Sequence, residues 1–346
     1  MAQVVIVDNV APEAGRTLAR AGHKIQAFSK KLDLPALIAA CAGCQALIVR
    51  SATDVTAGLI AACPELQVVG RAGVGTDNID VDAATRQGVL VVNAPTGNTI
   101  AAAEHALGLM LALARNIPQA SSTLRQGRWE RAQFRGVELM GKTLGILGLG
   151  RVGSAVALRA QSLGMRVLGY DPYLNPDNVI AGVVLADSRE VFAQSDFLTL
   201  HLPLSAETRG FINHETLAMM KPGIRIINTA RGGLIVEEAL ISALTTGQVA
   251  GAALDVLAEE PCTDSPLFEL ENVIITPHLG ASTEEAQAQV ATEVARQVAA
   301  ALAGQRPHHC LNWDQVQSYT ARLQRPGVLS GCNQANPGAH NKVAIL

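Results

Sequence analysis

The chain has 346 residues, enough for two domain cores at the usual one to two hundred residues each. Apolar residues make up 49% and charged residues only 16%, against about a quarter in an average soluble domain, which leaves room for a subunit interface. A formal charge of −3 excludes any general attraction to nucleic acid or to an anionic membrane, so anion binding must be local and a small anionic substrate suits it better than a polymer.

The opening MAQVVIVDNV has neither the basic nor the long apolar region of a secretion signal and reads as a first strand; a soluble, cytoplasmic protein is expected. Further β-rich runs follow at Ala46–Val49, Val68–Ala72 and Val89–Asn93, after the first at Val4–Asp8, with Ala-rich helical stretches between them. That alternation predicts a small open parallel sheet covered by helices. Of the six cysteines, Cys41 and Cys44 form C-x-x-C, but without a second pair or a nearby histidine they read as buried small apolar side chains, and no metal is expected. Asn98 and Thr99 are cap-type residues opening an Ala-rich helix that runs to about Arg115. Glu104, His105 and Arg115 interrupt its apolar character, so it does not read as a membrane span.

After Gly141 a second series begins, with strands predicted at Thr143–Gly148, Arg166–Asp171, Phe197–Pro203, Arg225–Thr229, Gly251–Val256 and Val273–Thr276. Six strands with crossover helices make a complete doubly wound domain. Ser282 and Glu285 have capping-box spacing at the head of a helix over Thr283–Ala303, which Gly304 and Pro307 end. The expected domains are therefore 1–98 with 283–312, discontinuous, and 99–282; residues 313–346, rich in Gln, Asn, Gly and Pro, read as a poorly ordered tail.

The sharpest motif is LGILGLGRVG, a strand followed by Gly148, Gly150 and Gly153 in G-x-G-x-x-G spacing and then a helix. Gly148 permits the tight turn, Gly150 lets a pyrophosphate approach the backbone, and Gly153 lets the helix pack on the strand, with the Arg151 and Val152 amides left to meet phosphate. Asp171, 23 residues beyond Gly148 at the end of the second strand, is spaced to bind ribose hydroxyls and to repel a 2′-phosphate, so NAD is favoured over NADP. In open α/β sheets ligands sit beyond the carboxyl ends of the strands, where Arg231, Glu260 and His278 stand after successive late strands. A rigid guanidinium fork can grip a carboxylate, a near-neutral imidazole can take and return a hydroxyl proton, and a carboxylate can orient the imidazolium. Together they suit hydride transfer to and from a 2-hydroxy acid.

These residues resemble the D-isomer-specific 2-hydroxyacid dehydrogenases. The likeness runs from about Val4 to Asn312 and is carried by VRSAT (Val49–Thr53), GRAGVGTDNID (Gly70–Asp80), GRWERAQF (Gly127–Phe134), GKTLGILGLGRVG (Gly141–Gly153), NTARGG (Asn228–Gly233), AALDV (Ala252–Val256), EEP (Glu259–Pro261) and PHLGAST (Pro277–Thr283). It implies two doubly wound parallel-sheet domains, a Rossmann NAD-binding domain and a smaller flavodoxin-like substrate domain, with the active site in the cleft between them. It implies further NAD contacts from Leu202, Pro203, Thr229, Ala230, Asp255, Gly280 and Ala281, besides His278. For the substrate it implies Arg50, Ser51, Arg71, Gly73 and Val74 from the small domain, Arg231, and Arg131 on an arm around Trp129–Phe134 that serves the partner in a homodimer. The basic residues imply a phosphorylated acid and oxidation of 3-phospho-D-glycerate, with an unphosphorylated 2-oxo acid such as hydroxypyruvate or glyoxylate as the enzymatic alternative. The remaining alternative is an NAD-sensing binding protein like the corepressors that resemble this family.

Overall fold

A computed structural model describes residues 1–323. It divides into two compact units, Met1–Pro95 with the chain from Ala291 on, and Thr96–Val290. The second boundary falls inside the helix Glu284–Leu302.

The first unit is built on five parallel strands, β1 (Gln3–Ile6), β2 (Lys24–Ala27), β3 (Ala46–Val49), β4 (Val68–Arg71) and β5 (Leu90–Asn93), in the order β2-β1-β3-β4-β5. Val4–Val7, Ala46–Val49 and Val68–Val69 are sealed from solvent because helices cover both faces, which is why these strands read as unbroken apolar runs. Lys24–Ala27 has no such signature for the opposite reason: it is an edge strand, mostly exposed, with no apolar run. Near the far edge, β5 is met by the returning chain. Leu311 N–H donates to Val91 O, Cys310 bridges Val92 antiparallel, and the buried Asn312 side chain accepts from Val91 N–H while donating to Val89 O and Thr85 Oγ1. Trp313–Leu323 then forms a helix with Val316 buried, where an unstructured tail was expected from Trp313; the rest of that expected tail lies outside the described residues. Cys41, Cys44 and Cys63 are free thiols in this unit's core.

The second unit holds seven parallel strands, β6 (Thr143–Leu147), β7 (Arg166–Tyr170), β8 (Val183–Leu185), β9 (Phe197–Leu200), β10 (Ile224–Asn228), β11 (Val249–Leu254) and β12 (Val273–Ile275), ordered β12-β11-β10-β9-β6-β7-β8. Neighbouring residues point to opposite faces. Leu147, Leu198, Ile226 and Leu254 join one core, while Ile146, Phe197, Ile227 and Ala253 join the other with the helices Thr99–Arg115 and Arg151–Ser162. Each of these Leu, Ile and Phe side chains, fully buried, contributes about 1.5–3 kcal/mol. The three-residue edge strand β8 is an addition to the six expected strands, too short and too exposed to carry a pattern. The strand order reverses between β6 and β9, so the site is expected at their carboxyl ends. The helix at Glu284 is capped by Thr283, whose Oγ1 accepts from Ala286 N–H, rather than by Ser282 as the spacing suggested. Among the described residues no single helix is long and apolar enough to cross a membrane.

Candidate active site

Beyond β6 the backbone turns sharply at Gly148, which has φ +93° and would bring a Cβ within 2.7 Å of His201 O. A Cβ on Gly153 would stand 1.9 Å from Gly148 O, so the helix Arg151–Ser162 can pack onto the turn only without a side chain there. Gly150, between them, faces open space. That helix has no side-chain cap, which leaves its first-turn amides, Arg151 and Val152 among them, to a ligand. Ser154 Oγ donates to Leu149 O and braces the turn.

Asp171 follows β7. Its Oδ2 accepts from Leu149 N–H at 2.9 Å and its Oδ1 from Tyr173 N–H at 3.0 Å, so one carboxylate ties the glycine turn to the second strand and keeps a lone pair on each oxygen. Thr229 Oγ1 and Asn98 Oδ1 are buried with no partner. Orphaned polar atoms, an open glycine cradle and an uncapped helix fit a dinucleotide, and the carboxylate at Asp171 fits an unphosphorylated 2′-hydroxyl. Leu202 is buried and Pro203 exposed just beyond β9.

Beyond β10, the buried Asn228 accepts from Ala230 N–H and donates to Arg231 O, fixing the loop that presents Arg231 in extended conformation. Arg231 Nη1 donates to Ala230 O. A Cβ on Gly232 would strike Leu257 O at 1.9 Å, so this loop lies backbone to backbone on the one that carries Glu260. Glu260 Oε2 and His278 Nδ1 are 2.6 Å apart, with side chains 36% and 45% exposed. Burial alone would raise the Glu260 carboxyl, but the His278 hydrogen bond and charge and the Leu257 amide outweigh it and hold it below its ordinary value. With Nδ1 engaged, Nε2 is the ring nitrogen of His278 left to meet a ligand. This pair was expected from the sequence; its mutual distance was not readable there.

Asp255, at the end of β11, is almost wholly buried. Its Oδ1 accepts from Thr276 Oγ1 at 2.6 Å, Leu279 N–H at 2.7 Å and His105 Nε2 at 3.0 Å, and its Oδ2 from Gly280 N–H at 2.8 Å. Burial again raises this carboxyl and the donors more than reverse that. The neighbouring Ala281 is half-buried. His105 and Thr276 were not among the expected site residues; in the sequence His105 is only a polar break in an apolar helix.

In the first unit, the residues expected at the substrate follow β3 and β4. The loop Arg50–Thr53 is held from two sides. Asp8 accepts from Arg50 N–H, Thr53 N–H and Thr53 Oγ1, and Asn78 Nδ2 donates to Arg50 O and Thr53 O. Neither Asp8 nor Asn78 is readable as a support from the sequence, because Asp-Asn, at 8–9 after β1 and at 77–78 in the loop beyond β4, reads as an ordinary turn. Ser51 is exposed in this loop, Arg71 Nη1 donates to Ala72 O, and Val74 O accepts from Asn93. The Gly73 amide donates to Arg71 O at 2.8 Å, so of the two amides expected to meet substrate it is already engaged. Arg131 is exposed in the short turn Arg131–Phe134, close in sequence to Trp129, which is 76% exposed.

Residues 107–280, half of the chain, match the family described as D-isomer specific 2-hydroxyacid dehydrogenase, NAD binding domain. The chain is 48% identical over 336 residues to a Mycobacterium tuberculosis D-3-phosphoglycerate dehydrogenase, covering 95% of this chain and 63% of that one. It is 49% identical over 327 residues to the Homo sapiens protein of the same name, covering 94% and 61%. The chain thus spans about three fifths of the length of these relatives. Among solved structures it is similar to the TT0316 protein of Thermus thermophilus, with TM-score 0.82, 32% identity and coverage of 89% and 99%. It is also similar to apo D-lactate dehydrogenase of Escherichia coli, with TM-score 0.79, 27% identity and coverage of 89% and 99%.

Proposed function

This chain belongs to the D-isomer specific 2-hydroxyacid dehydrogenase family, and on that premise we propose that it is an NAD-dependent dehydrogenase oxidising 3-phospho-D-glycerate to 3-phosphohydroxypyruvate, the entry to serine biosynthesis. The observation that carries the reading is the Glu260–His278 pair at 2.6 Å, beyond the carboxyl ends of strands in the sheet that also presents the glycine turn and Asp171. The similarity to D-3-phosphoglycerate dehydrogenases supports the choice of acid. NAD, when bound, supplies the acceptor for the hydrogen leaving C2.

In this reading His278 Nε2 takes the C2 hydroxyl proton as C2 is oxidised and returns it on reduction, while Glu260 holds the Nδ1 proton and stabilises the charge that appears on the ring. Arg231 grips the substrate carboxylate through its guanidinium fork and polarises the C2 oxygen. Gly148, Gly150, Gly153, Arg151 and Val152 hold the pyrophosphate, and Asp171 the ribose diol. The first unit is assigned to the substrate, with Val74 offering its amide to the carboxylate and Arg50, Arg71 and Arg131 meeting the phosphate. A homodimer with Arg131 serving the partner is part of this reading; Trp129, 76% exposed two residues before Arg131, is the large apolar side chain such an arm would bury. We assign the protein to the cytoplasm.

The test is NADH oxidation by wild type and Arg131→Ala with 3-phosphohydroxypyruvate, hydroxypyruvate and glyoxylate. A preference for the phosphorylated acid that collapses in Arg131→Ala supports the reading. Preference for an unphosphorylated acid discards the phosphate assignment and keeps the dehydrogenase; no turnover with any of them sinks both.

A further inference from the structure

We infer that His105 is a positioning residue of the hydride-transfer site, acting through Asp255 on the loop that presents His278. The inference rests on the dehydrogenase reading above and concerns a side chain that makes no part of the acid-base pair.

His278 sits in the left-handed region at φ 54°, a conformation a residue with a Cβ adopts only when its surroundings impose it. Asp255 and Thr276 hold it there. The His278 N–H is shared between Asp255 O and Thr276 O, each at 2.9 Å, and the Asp255 carboxylate accepts the next two amides, Leu279 on Oδ1 and Gly280 on Oδ2. Three successive amides therefore reach Asp255, two of them through its carboxylate. A carboxylate can serve this purpose only if it stays ionised and does not rotate. Thr276 comes from the same strand end as the loop, so it cannot anchor Asp255 from outside. His105 can: it projects from the helix Thr99–Arg115, about 150 residues away in sequence and packed on the seven-stranded sheet, and its Nε2 meets Asp255 Oδ1 at 3.0 Å and Thr276 Oγ1 at 3.2 Å. Since Oδ1 is an acceptor, Nε2 carries the proton.

The site is thus a chain of three links, from helix to carboxylate to catalytic loop. Loss of the His105 donor frees Asp255 to turn, and a turn of the carboxylate moves the Leu279 and Gly280 amides and, with them, the His278 imidazole. Misplacement of a reacting group by about 1 Å is worth up to about a hundredfold in rate.

The experiment uses the full chain with His105→Leu, which removes the donor, and His105→Gln, whose carboxamide N–H reaches about as far as Nε2. For each, kcat and KM are measured with NADH and the best oxo acid, NADH Kd by fluorescence, and Tm on the same preparations. His105→Leu is expected to lose at least about tenfold in kcat with KM for the oxo acid within about threefold, and His105→Gln to recover most of that loss. Wild-type kcat in His105→Leu overturns the inference, as does equal loss in both variants tracking an equal loss of Tm, which is a packing role only. If His105→Leu does not fold, His105→Asn replaces it: its shorter carboxamide stays polar but falls short of Asp255 Oδ1, and unchanged kcat there overturns the inference. If wild type turns over no oxo acid, the dehydrogenase reading has failed. NADH Kd then decides, because the Leu279–Gly280 loop lies at the carboxyl edge of the dinucleotide sheet. A Kd weakened at least about threefold in His105→Leu supports the coupling, and an unchanged Kd ends it.

Discussion

Replacing Asp171 by alanine separates the structural role of its carboxylate from the ribose-binding role proposed for it. Within the protein it accepts from Leu149 N–H and Tyr173 N–H. Tyr173 is exposed, so water replaces its lost partner, whereas Leu149 is 4% exposed and its amide stays dry. One unsatisfied buried donor costs about 1–2 kcal/mol, a fall of roughly 2–6 °C in Tm of the ligand-free protein. Toward the cofactor, each oxygen has one lone pair left for a ribose hydroxyl. Hydrogen bonds to a charge are worth about 1.5–3 kcal/mol each, and at a partly exposed site the lower figure applies, giving about 3 kcal/mol for the pair. That is roughly a hundredfold rise in NADH Kd. NADPH, whose 2′-phosphate the wild-type carboxylate repels, should gain or hold its affinity, so the preference between the two collapses. Fluorescence titration with both nucleotides, alongside Tm of the ligand-free forms, reads each function separately. An NADH Kd within about threefold of wild type, with the Tm lowered as expected, would refute the ribose assignment while leaving the structural one intact.

Three further outcomes follow from the geometry. His278→Gln should lower kcat by about 10²–10⁴ with NADH Kd nearly unchanged, and a wild-type rate removes the imidazole from the mechanism. Burial pushes the His201 imidazole down to about 4 from 6.5. Both states are neutral above pH 6.5; below it the unfolded chain takes up the proton first, so this group withdraws stability as pH falls toward about 4, by up to about 3 kcal/mol and nearer 2 because the ring keeps some contact with solvent. Urea unfolding of wild type and His201→Gln at pH 7 and pH 4.5 checks it: the variant should lose less stability on acidification, and parallel losses refute it. Asn312→Ala strands the Val91 amide and the Val89 carbonyl in the core, at about 3 kcal/mol, so Tm should drop by about 5 °C or more; a drop under about 1 °C shows that this tether is not needed.

The central strands and the cofactor turn are legible in the sequence because burial on both faces writes an unbroken apolar run and because Gly148 and Gly153 meet backbone that no Cβ could approach. The edge strands Lys24–Ala27 and Val183–Leu185 are not, since half-exposed strands carry no such run. The helix at Trp313 is hidden by a polar, Gln-rich composition, while its anchor, Asn312, works through hydrogen bonds to residues over two hundred positions away. At the site, Arg231, Glu260 and His278 are readable because their chemistry is rare and their strand ends regular. Asp8, Asn78, His105 and Thr276 hold the loops in place, and a supporting side chain is defined by its partner in space, which no local pattern records.

The tether that closes the edge of β5 has a consequence for how the chain is made. The five strands of the first sheet are translated before the seven of the second, yet that sheet stays unfinished, because the segment that bridges Val92 and satisfies Val89 and Val91 arrives only at Cys310–Asn312. At about 5–20 residues per second, the roughly 220 residues between Pro95 and Asn312 keep the ribosome occupied for about 10–40 s. During that interval the nascent sheet carries an open apolar edge, the kind of surface on which strands of neighbouring nascent chains pair. The inserted unit has all its strands by Ile275 and can fold while the earlier one waits, so the order of birth and the order of completion are reversed. A nascent-chain chaperone that shields residues 89–93 until Asn312 emerges would raise the yield of correctly folded protein.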